Sequence, residues 1–146
     1  MPDSRFVVVS CRQPYVHWRK GREIMVDRGS GGVISALNPV LQACNGLWVA
    51  WGNGNADRLV VNAESKIAVP PENPEYELKR VWLTKQEEAG FYLGFSNEAL
   101  WPMCHTAFIR PEFRREDWET YVKKKKKFAD AILEELKGQK AFIWIQ

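Results

Sequence analysis

Two places in this sequence combine residues suited to binding an anion. Arg12 comes two residues after the apolar run Arg5–Ser10, and its guanidinium group offers a bidentate fork for a phosphate or a carboxylate. Gly31 and Gly32 precede a stretch with helical periodicity, and backbone N–H groups at a helix start can cradle a phosphate. A surface arginine paired with a carboxylate and a tight turn before a helix explain the same residues, so both interpretations stay open.

Three aromatic residues lie where they could contact a sugar phosphate. Trp51 ends an apolar run beside a Gly-Asn loop, and Trp101 precedes a proline at a predicted helix end. Aromatic rings can stack on the apolar faces of sugars, and the phenol of Tyr92 could donate a hydrogen bond to phosphate. Aromatic residues also fill cores, and the chain has seven tryptophans. Four of them lie within strand or helix patterns and are predicted to be core residues: Trp48, Trp82, Trp118 and Trp144.

The sequence offers no catalytic constellation of its own. It has no nucleophile-elbow pattern and no spaced carboxylate pair, and neither histidine has motif support as a base. The cysteines Cys11, Cys44 and Cys104 are odd in number and widely spaced, as reduced thiols are. Because Cys104 and His105 are adjacent and lack a second pair, we predict no metal site.

The charge distribution argues against a nucleic-acid partner. The formal net charge is +3, and a run of five lysines, Lys123–Lys127, accounts for the excess, because acidic residues outnumber basic ones elsewhere. A charge run within a helix usually marks a solvated face, whereas a nucleic-acid binder carries a broader basic surface. We therefore predict no nucleic-acid binding. Contact of the lysines with phosphate or a membrane is the weaker alternative.

The elements that would position the candidate residues alternate between apolar strands and helices. Continuous apolar runs at Arg5–Ser10, Gly46–Trp51 and Ala141–Gln146 are typical of strands buried on both faces of a parallel sheet. Apolar spacing from Val33 to Cys44 predicts a helix that Pro39 kinks or breaks. The predicted fold class is α/β: a Rossmann-like, mostly parallel sheet with flanking helices. Such sheets bind ligands at the carboxyl ends of their strands.

Shorter patterns fill the intervals between these elements. We predict a surface hairpin at Tyr15–Asp27 and three strands at Arg58–Asn62, Lys66–Val69 and Glu77–Leu83. A capping box predicts a helix start at Thr84, and a further helical stretch is predicted from Phe95 to Pro102.

The clearest predicted helix spans Arg115–Lys137 and ends at Gly138. Lys125 falls on its apolar stripe by spacing, with its stem along apolar surface and its ammonium group in water. The stripe contains Trp118, Tyr121, Val122, Ala129, Ile132, Leu133 and Leu136, with Phe128 beside it.

The length of 146 residues suits one domain that can bury a core without disulfides or metals. No apolar run approaches the roughly 20 residues of a membrane helix. The first residues show no signal-peptide pattern. We therefore predict a cytoplasmic protein with no membrane partner.

Five segments, taken in order, form one pattern: Val7–Arg12, Gly31–Val33, Gly46–Trp51, Tyr92–Pro102 and Ile143–Gln146. Their order and spacing resemble the N-terminal half of the trehalose-6-phosphate synthase family of retaining glycosyltransferases. The FSNxxLWP sequence in the fourth segment is the most specific part, and the resemblance covers nearly the whole chain.

The resemblance implies a GT-B architecture, in which two Rossmann-like domains face each other across a cleft. It also implies transfer of glucose from a nucleotide sugar, usually UDP-glucose, to glucose 6-phosphate, with retention and without a metal or other cofactor. The acceptor phosphate would be held by Arg12 and Tyr92, and the acceptor sugar by Trp51 and Trp101. The loop approaching the donor phosphates would contain Gly31 and Gly32.

The chain departs from the family pattern in two ways. Cys11 stands where members often have Asn, and the following segment resembles synthases that use another small phosphate, so glycerol 3-phosphate stays open as acceptor. In the family, the last strand continues into an Asp-Tyr-His-Leu segment and then a C-terminal domain, whose Arg and Lys neutralise the donor diphosphate.

We therefore expect residues 1–146 to be a truncated N-terminal acceptor-side domain, inactive in transfer by itself and without catalytic residues. The nucleotide sugar would bind through the missing C-terminal domain. The alternative is a non-catalytic sugar-phosphate-binding or regulatory module. Whether copies associate into a homo-oligomer stays open.

Overall fold

A five-stranded sheet forms the centre of the first of two compact units in the computed structural model, which describes residues 4–146. This unit contains the chain up to Trp82 together with Ala131–Gln146, and the second unit is Leu83–Asp130. The strands are β1 (Arg5–Ser10), β2 (Tyr15–Lys20), β3 (Glu23–Arg28), β4 (Leu47–Trp51), β5 (Lys66–Val69), β6 (Tyr76–Val81) and β7 (Ala141–Ile145).

The sheet order is β5-β6-β4-β1-β7, and only β5 runs antiparallel to its neighbour. β1 and β4 lie inside the sheet, each between two other strands, and Val7–Val9 together with all of Leu47–Trp51 are buried, as predicted. The mixed architecture with a mostly parallel sheet confirms the predicted fold class. The predicted surface hairpin is also confirmed, with β2 and β3 pairing as a separate antiparallel ribbon.

Helix α1 (Gly32–Cys44) packs beside the sheet. Pro39 lies inside it, and the helix continues past this residue to Cys44, so the predicted break does not occur. Asn45 ends the helix in the left-handed conformation with φ of 48°, and its N–H donates to the carbonyl of Leu41. Leu41 is fully buried and belongs to the main core with Val8, Trp48 and Tyr76.

The prediction of a strand at Arg58–Asn62 was wrong. The short helix α2 (Asp57–Val60) replaces it. The short apolar run Leu59–Val61 favoured a strand, but the carboxylate of Asp57 accepts hydrogen bonds from the N–H groups of His17 and Gly54. The local bond from Gly54 and the long-range bond from His17 fix the chain at the start of the helical turn, and sequence periodicity does not report the long-range bond.

The second unit begins with a continuous helical segment. It consists of α3 (Lys85–Glu88), a π-helix (Ala89–Leu100) and α4 (Trp101–Cys104), so the separate stretch predicted to begin at Phe95 is part of one longer element. The predicted capping box is confirmed: the Thr84 Oγ1 accepts from the N–H of Glu87 at 3.1 Å, and the Glu87 carboxylate accepts from the N–H of Thr84 at 2.8 Å.

Helix α5 (Arg115–Leu136) has nearly the predicted extent, and its buried face matches the predicted stripe in part: Ile132 and Leu136 are buried as predicted, and so is Phe128 beside them. Trp118, Val122 and Leu133 are exposed, and so is Ala129. Lys124 is buried in place of Lys125. Buried residues recur every four positions at Lys124, Phe128, Ile132 and Leu136, and Ala131 is buried beside them.

Lys124 can occupy this position because its ammonium group lies over two aromatic rings. The Nζ is 4.0 Å from the ring centre of Phe91 and 4.2 Å from that of Phe128. A search for apolar periodicity treats lysine as polar and therefore rotates the predicted stripe away from the observed one.

The prediction that β7 is buried was also wrong. The strand pairs with β1 and is the last in the sheet order of the described residues. Its side chains Phe142, Trp144 and Ile145 are exposed, so the apolar run did not indicate burial here. Across residues 4–146, no helix combines the length and apolar character needed to cross a membrane.

Candidate functional site

A cavity of about 290 Å³ opens at the carboxyl end of β1 and the start of α1, within the first unit. It brings together three predicted site residues, Arg12, Gly31 and Gly32. The remaining lining residues are Ser10, Cys11, Val33, Ile34 and Gln146. This is the edge of the sheet where a parallel fold places its ligand.

The start of α1 carries no anionic side chain of its own. Gly31 is the N-cap residue in an extended conformation, it makes no side-chain capping bond, and the first turn contains no acidic residue. A Cβ added at Gly31 or Gly32 would meet no atom within 4 Å, so open space adjoins this backbone. Free space beside the positive end of a helix dipole suits an anionic ligand.

The backbone that carries Arg12 is anchored from the core. The hydroxyl of Ser10 donates to the carbonyl of Arg12 at 2.6 Å and accepts from the indole Nε1 of Trp48 at 2.8 Å. Trp48 is fully buried, which confirms it as a core residue. Arg12 itself is exposed.

Trp51 lies at the end of β4, beside the same part of the chain. Its N–H donates to the carbonyl of Cys11 at 3.3 Å, and its side chain is only 7% exposed. The next residue, Gly52, packs against the ring of Trp82, since an added Cβ would be 2.4 Å from a ring atom. Trp82 itself is half-buried, and its indole N–H donates to Ser65.

A buried polar network next to this loop was missed by sequence reasoning. Gln13 is 2% exposed; its Nε2 donates to Asn53 Oδ1 at 2.9 Å and to Asp57 Oδ2 at 2.6 Å, and its Oε1 accepts from Arg80 Nε at 2.9 Å. The Arg80 guanidinium also donates to the backbone carbonyls of Asp57 and Tyr15. Arg80 is one of three charged residues in β6, with Glu77 and Lys79, and nothing in the sequence distinguishes it from the other two.

Asp57 and Arg80 form an ion pair with both side chains inaccessible to solvent, at 3.1 Å. Burial raises the pKa of the Asp57 carboxyl, but hydrogen bonds from His17 and Gln13 and the charge of Arg80 outweigh it, so this pKa is lower than its ordinary value. Because arginine only donates, the 2.7 Å contact between Arg80 and His17 Nδ1 requires that nitrogen to accept.

The two other predicted site residues belong to the second unit. Tyr92 lies in the π-helix, half-buried, with its ring 6.1 Å from that of Phe91. Trp101 begins α4, is 50% exposed, and stacks on His105 with ring centres 4.4 Å apart. No group of three or more metal-ligating side chains occurs among the residues that the structure covers.

The lysine run is largely engaged in local contacts. Lys126 pairs with Asp130, Lys127 pairs with Glu87 at 2.6 Å, and the ammonium of Lys125 lies 4.5 Å from the ring centre of Tyr121. With Lys124 over two aromatic rings, these contacts assign most of the run to packing of the helix surface.

Comparison with known proteins places these features in a family. The sequence model of glycosyltransferase family 20 matches residues 4–146. The trehalose-6-phosphate synthase of Mycobacterium tuberculosis is 36% identical over 148 residues, an alignment that covers 99% of this chain and 29% of the synthase.

Solved structures agree with this assignment. An Escherichia coli trehalose-6-phosphate structure bound with UDP-2-fluoro glucose superposes with a TM-score of 0.68 at 27% identity, covering 97% of this chain and 27% of that one. The alpha,alpha-trehalose-phosphate synthase (UDP-forming) of Burkholderia xenovorans, in complex with glucose-6-phosphate, shares the fold with a TM-score of 0.67 at 21% identity, covering 97% and 28%.

The chain therefore spans less than a third of the length of each of these relatives. The matched residues 4–146 include those of the β1–α1 cavity as well as the helical segment with Tyr92 and Trp101. The predicted GT-B family fold is confirmed by the structural matches. The chain belongs to glycosyltransferase family 20.

Proposed function

We propose that this chain is the acceptor-binding part of a trehalose-6-phosphate synthase-like glycosyltransferase, which transfers glucose from a nucleotide sugar to glucose 6-phosphate. The observation that carries the proposal is the β1–α1 cavity. It joins a guanidinium group, an uncapped helix N-terminus and open space beside two glycines. Together these features provide charge and backbone donors for phosphate groups.

The site residues divide into two roles in this proposal. Arg12 and Tyr92 bind the acceptor phosphate, and Gly31 with Gly32 admits the phosphates of the donor to the α1 backbone. Trp51 and Trp101 contact the acceptor sugar. Trp51 is almost fully buried, whereas Trp101 is half exposed and its ring is accessible for stacking.

UDP-glucose is the proposed donor, because the E. coli relative binds UDP-2-fluoro glucose. The parts of the relatives outside the matched span would supply the cations that stabilise the leaving diphosphate. We therefore expect residues 1–146 to bind sugar phosphate without catalysing transfer, and we expect transfer itself to need no metal.

Titration calorimetry on the chain tests the proposal directly. Glucose 6-phosphate should bind more tightly than glucose, and Arg12→Ala should weaken its binding about tenfold or more, since a charge-assisted bidentate pair is lost. Arg115→Ala is the matched control, because Arg115 is an exposed arginine paired only locally with Glu119. Binding that is equal for glucose and glucose 6-phosphate, or unchanged by Arg12→Ala, contradicts the acceptor-site assignment.

The same titration separates the alternative acceptors. Tighter binding of glycerol 3-phosphate than of glucose 6-phosphate would assign the site to a synthase of another small phosphate. Cys11, which lines the cavity, is the position where this difference would be probed first, by Cys11→Asn.

A further inference from the structure

We infer that Gln13, Asn53, Asp57 and Arg80 form a positioning network for the phosphate-binding arginine, acting through the backbone of the loops after β1 and β4. The inference rests on the proposed function, since it assigns these residues a role in setting the affinity for a sugar phosphate. None of the four lines the cavity.

The first step is the location of Gln13. It directly follows Arg12, and its buried amide uses both donor hydrogens and its acceptor within the network. A side chain held by three hydrogen bonds restricts the conformation of its own backbone. The position of Arg12, one residue away, is therefore constrained from inside the protein.

The second step is the reach of the network across the sheet. Gln13 follows β1, Asn53 follows β4, and Arg80 lies in β6, and these three strands are consecutive neighbours. Two backbone bonds join the same strand ends: the N–H of Trp51 donates to Cys11, and the N–H of Gly52 donates to Val81. The side chains and the backbone thus connect the loop after β1, which carries Arg12, to the end of β4, which carries Trp51.

The third step concerns what a buried ion pair contributes. The Asp57 and Arg80 side chains are both fully inaccessible, and the desolvation cost of such a pair cancels much of its attraction. The packing around the pair is also specific: a Cβ on Gly54 would be 2.3 Å from the carbonyl of His17. A costly pair in a closely fitted setting is better explained by the geometry it imposes than by stability alone.

Hydrogen exchange measures the positioning without any ligand. Gln13→Met keeps length and removes the three hydrogen bonds, so the amides of Trp51 and Gly52 should exchange faster than in the wild type. The milder Asn53→Ala removes only the hydrogen bond to Gln13 and should give a smaller increase in the exchange rates of these two amides. This variant keeps the test informative if Gln13→Met folds poorly. Tyr76→Phe is the matched control, because it deletes a hydrogen bond to Asn38 in the same unit and should leave both amides unchanged.

Binding measures the consequence. Gln13→Met should weaken glucose 6-phosphate binding about tenfold, the effect of losing one charge-assisted contact, whereas Tyr76→Phe should not. In an Arg12→Lys background, which lacks the guanidinium fork, the same Gln13 substitution should have less than about twofold effect.

The outcomes are separable. Wild-type exchange at Trp51 and Gly52 in both network variants overturns the positioning network. An equal loss of affinity in the wild-type and Arg12→Lys backgrounds overturns the link to Arg12. If the wild type binds no sugar phosphate, the proposed function fails, and the exchange data still decide whether the network holds the two loops.

Discussion

At the scale of single residues, the first unit depends on a small number of buried polar side chains. Asp57 accepts hydrogen bonds from the backbone N–H groups of His17 and Gly54 and from the Gln13 amide. No buried side-chain nitrogen or oxygen in the described residues lacks a hydrogen-bond partner. Removing one member therefore leaves others unsatisfied in a low-dielectric interior, which costs more than the lost bond alone.

Asp57→Asn should make the protein less stable at neutral pH and less sensitive to acid. The folded pKa of Asp57 is lower than its ordinary value of 3.8, so its charge stabilises the fold above about pH 4, and this contribution is lost as the pH falls through the folded pKa. Breaking a buried ion pair costs about 3–5 kcal/mol of unfolding free energy at neutral pH.

The measurement is urea unfolding between about pH 7 and pH 3. The wild type should lose stability over the acidic part of this range more steeply than Asp57→Asn. Some acid sensitivity should remain in the variant, because hydrogen bonds from lysines also outweigh burial to lower the pKa values of Glu87 and Glu135. Parallel curves for variant and wild type would show that the Asp57 charge does not stabilise the fold.

At the scale of elements, local sequence patterns predicted strands and helices correctly where the burial or the local hydrogen bonding in the structure follows the sequence pattern. β1, β4 and the capping box at Thr84 follow from apolar runs and local hydrogen bonding. The full buried face of α5 and the exposure of β7 could not be predicted this way, because they depend on which elements pack nearby. The same limit applies to the candidate site: Arg12, Gly31 and Gly32 were identified from the ends of elements, whereas Gln13 and Arg80 are identified only by contacts across the sheet.

Gly32→Ala should separate binding from folding. The added Cβ would meet no heavy atom within 4 Å beyond its neighbours along the helix, and replacing glycine by alanine in a helix-compatible conformation stabilises a protein by about 0.4–1 kcal/mol. If the open space receives a phosphate, the methyl group should nevertheless weaken binding of a nucleotide-sugar or sugar-phosphate ligand. Differential scanning calorimetry and titration on the same sample check both parts, and unchanged affinity would remove Gly32 from the site.

Gly94→Ala should destabilise the second unit. A Cβ at Gly94, in the π-helix, would be 2.3 Å from the carboxylate of Asp117 in α5. That carboxylate is held by Arg114 at 3.1 Å, so it cannot simply move away. Overpacking of this kind costs about 1–3 kcal/mol, measurable as a lower melting temperature. A melting temperature equal to that of the wild type would mean that the π-helix and α5 are not packed this closely.

At the scale of the whole molecule, the fold class and family pattern were predictable because they depend on long apolar runs and on the order of five segments. The chain spans less than a third of its relatives, and the proposed reaction includes groups outside that span. What the chain holds by itself is a cavity with a cation, a helix N-terminus and two glycines, so its own testable property is binding rather than turnover.

Amide NMR during titration with glucose 6-phosphate tests this central claim most directly, because it locates the ligand as well as detecting it. Saturable shifts should concentrate on Arg12, Trp51, Tyr92 and Trp101, the residues assigned to the acceptor, and Arg12→Ala should remove them, while glucose alone should give weaker shifts at the same amides. Saturable shifts centred on Lys123–Lys127 instead, or no shifts around the β1–α1 cavity at saturating ligand, would contradict the assignment of this cavity as the sugar-phosphate site.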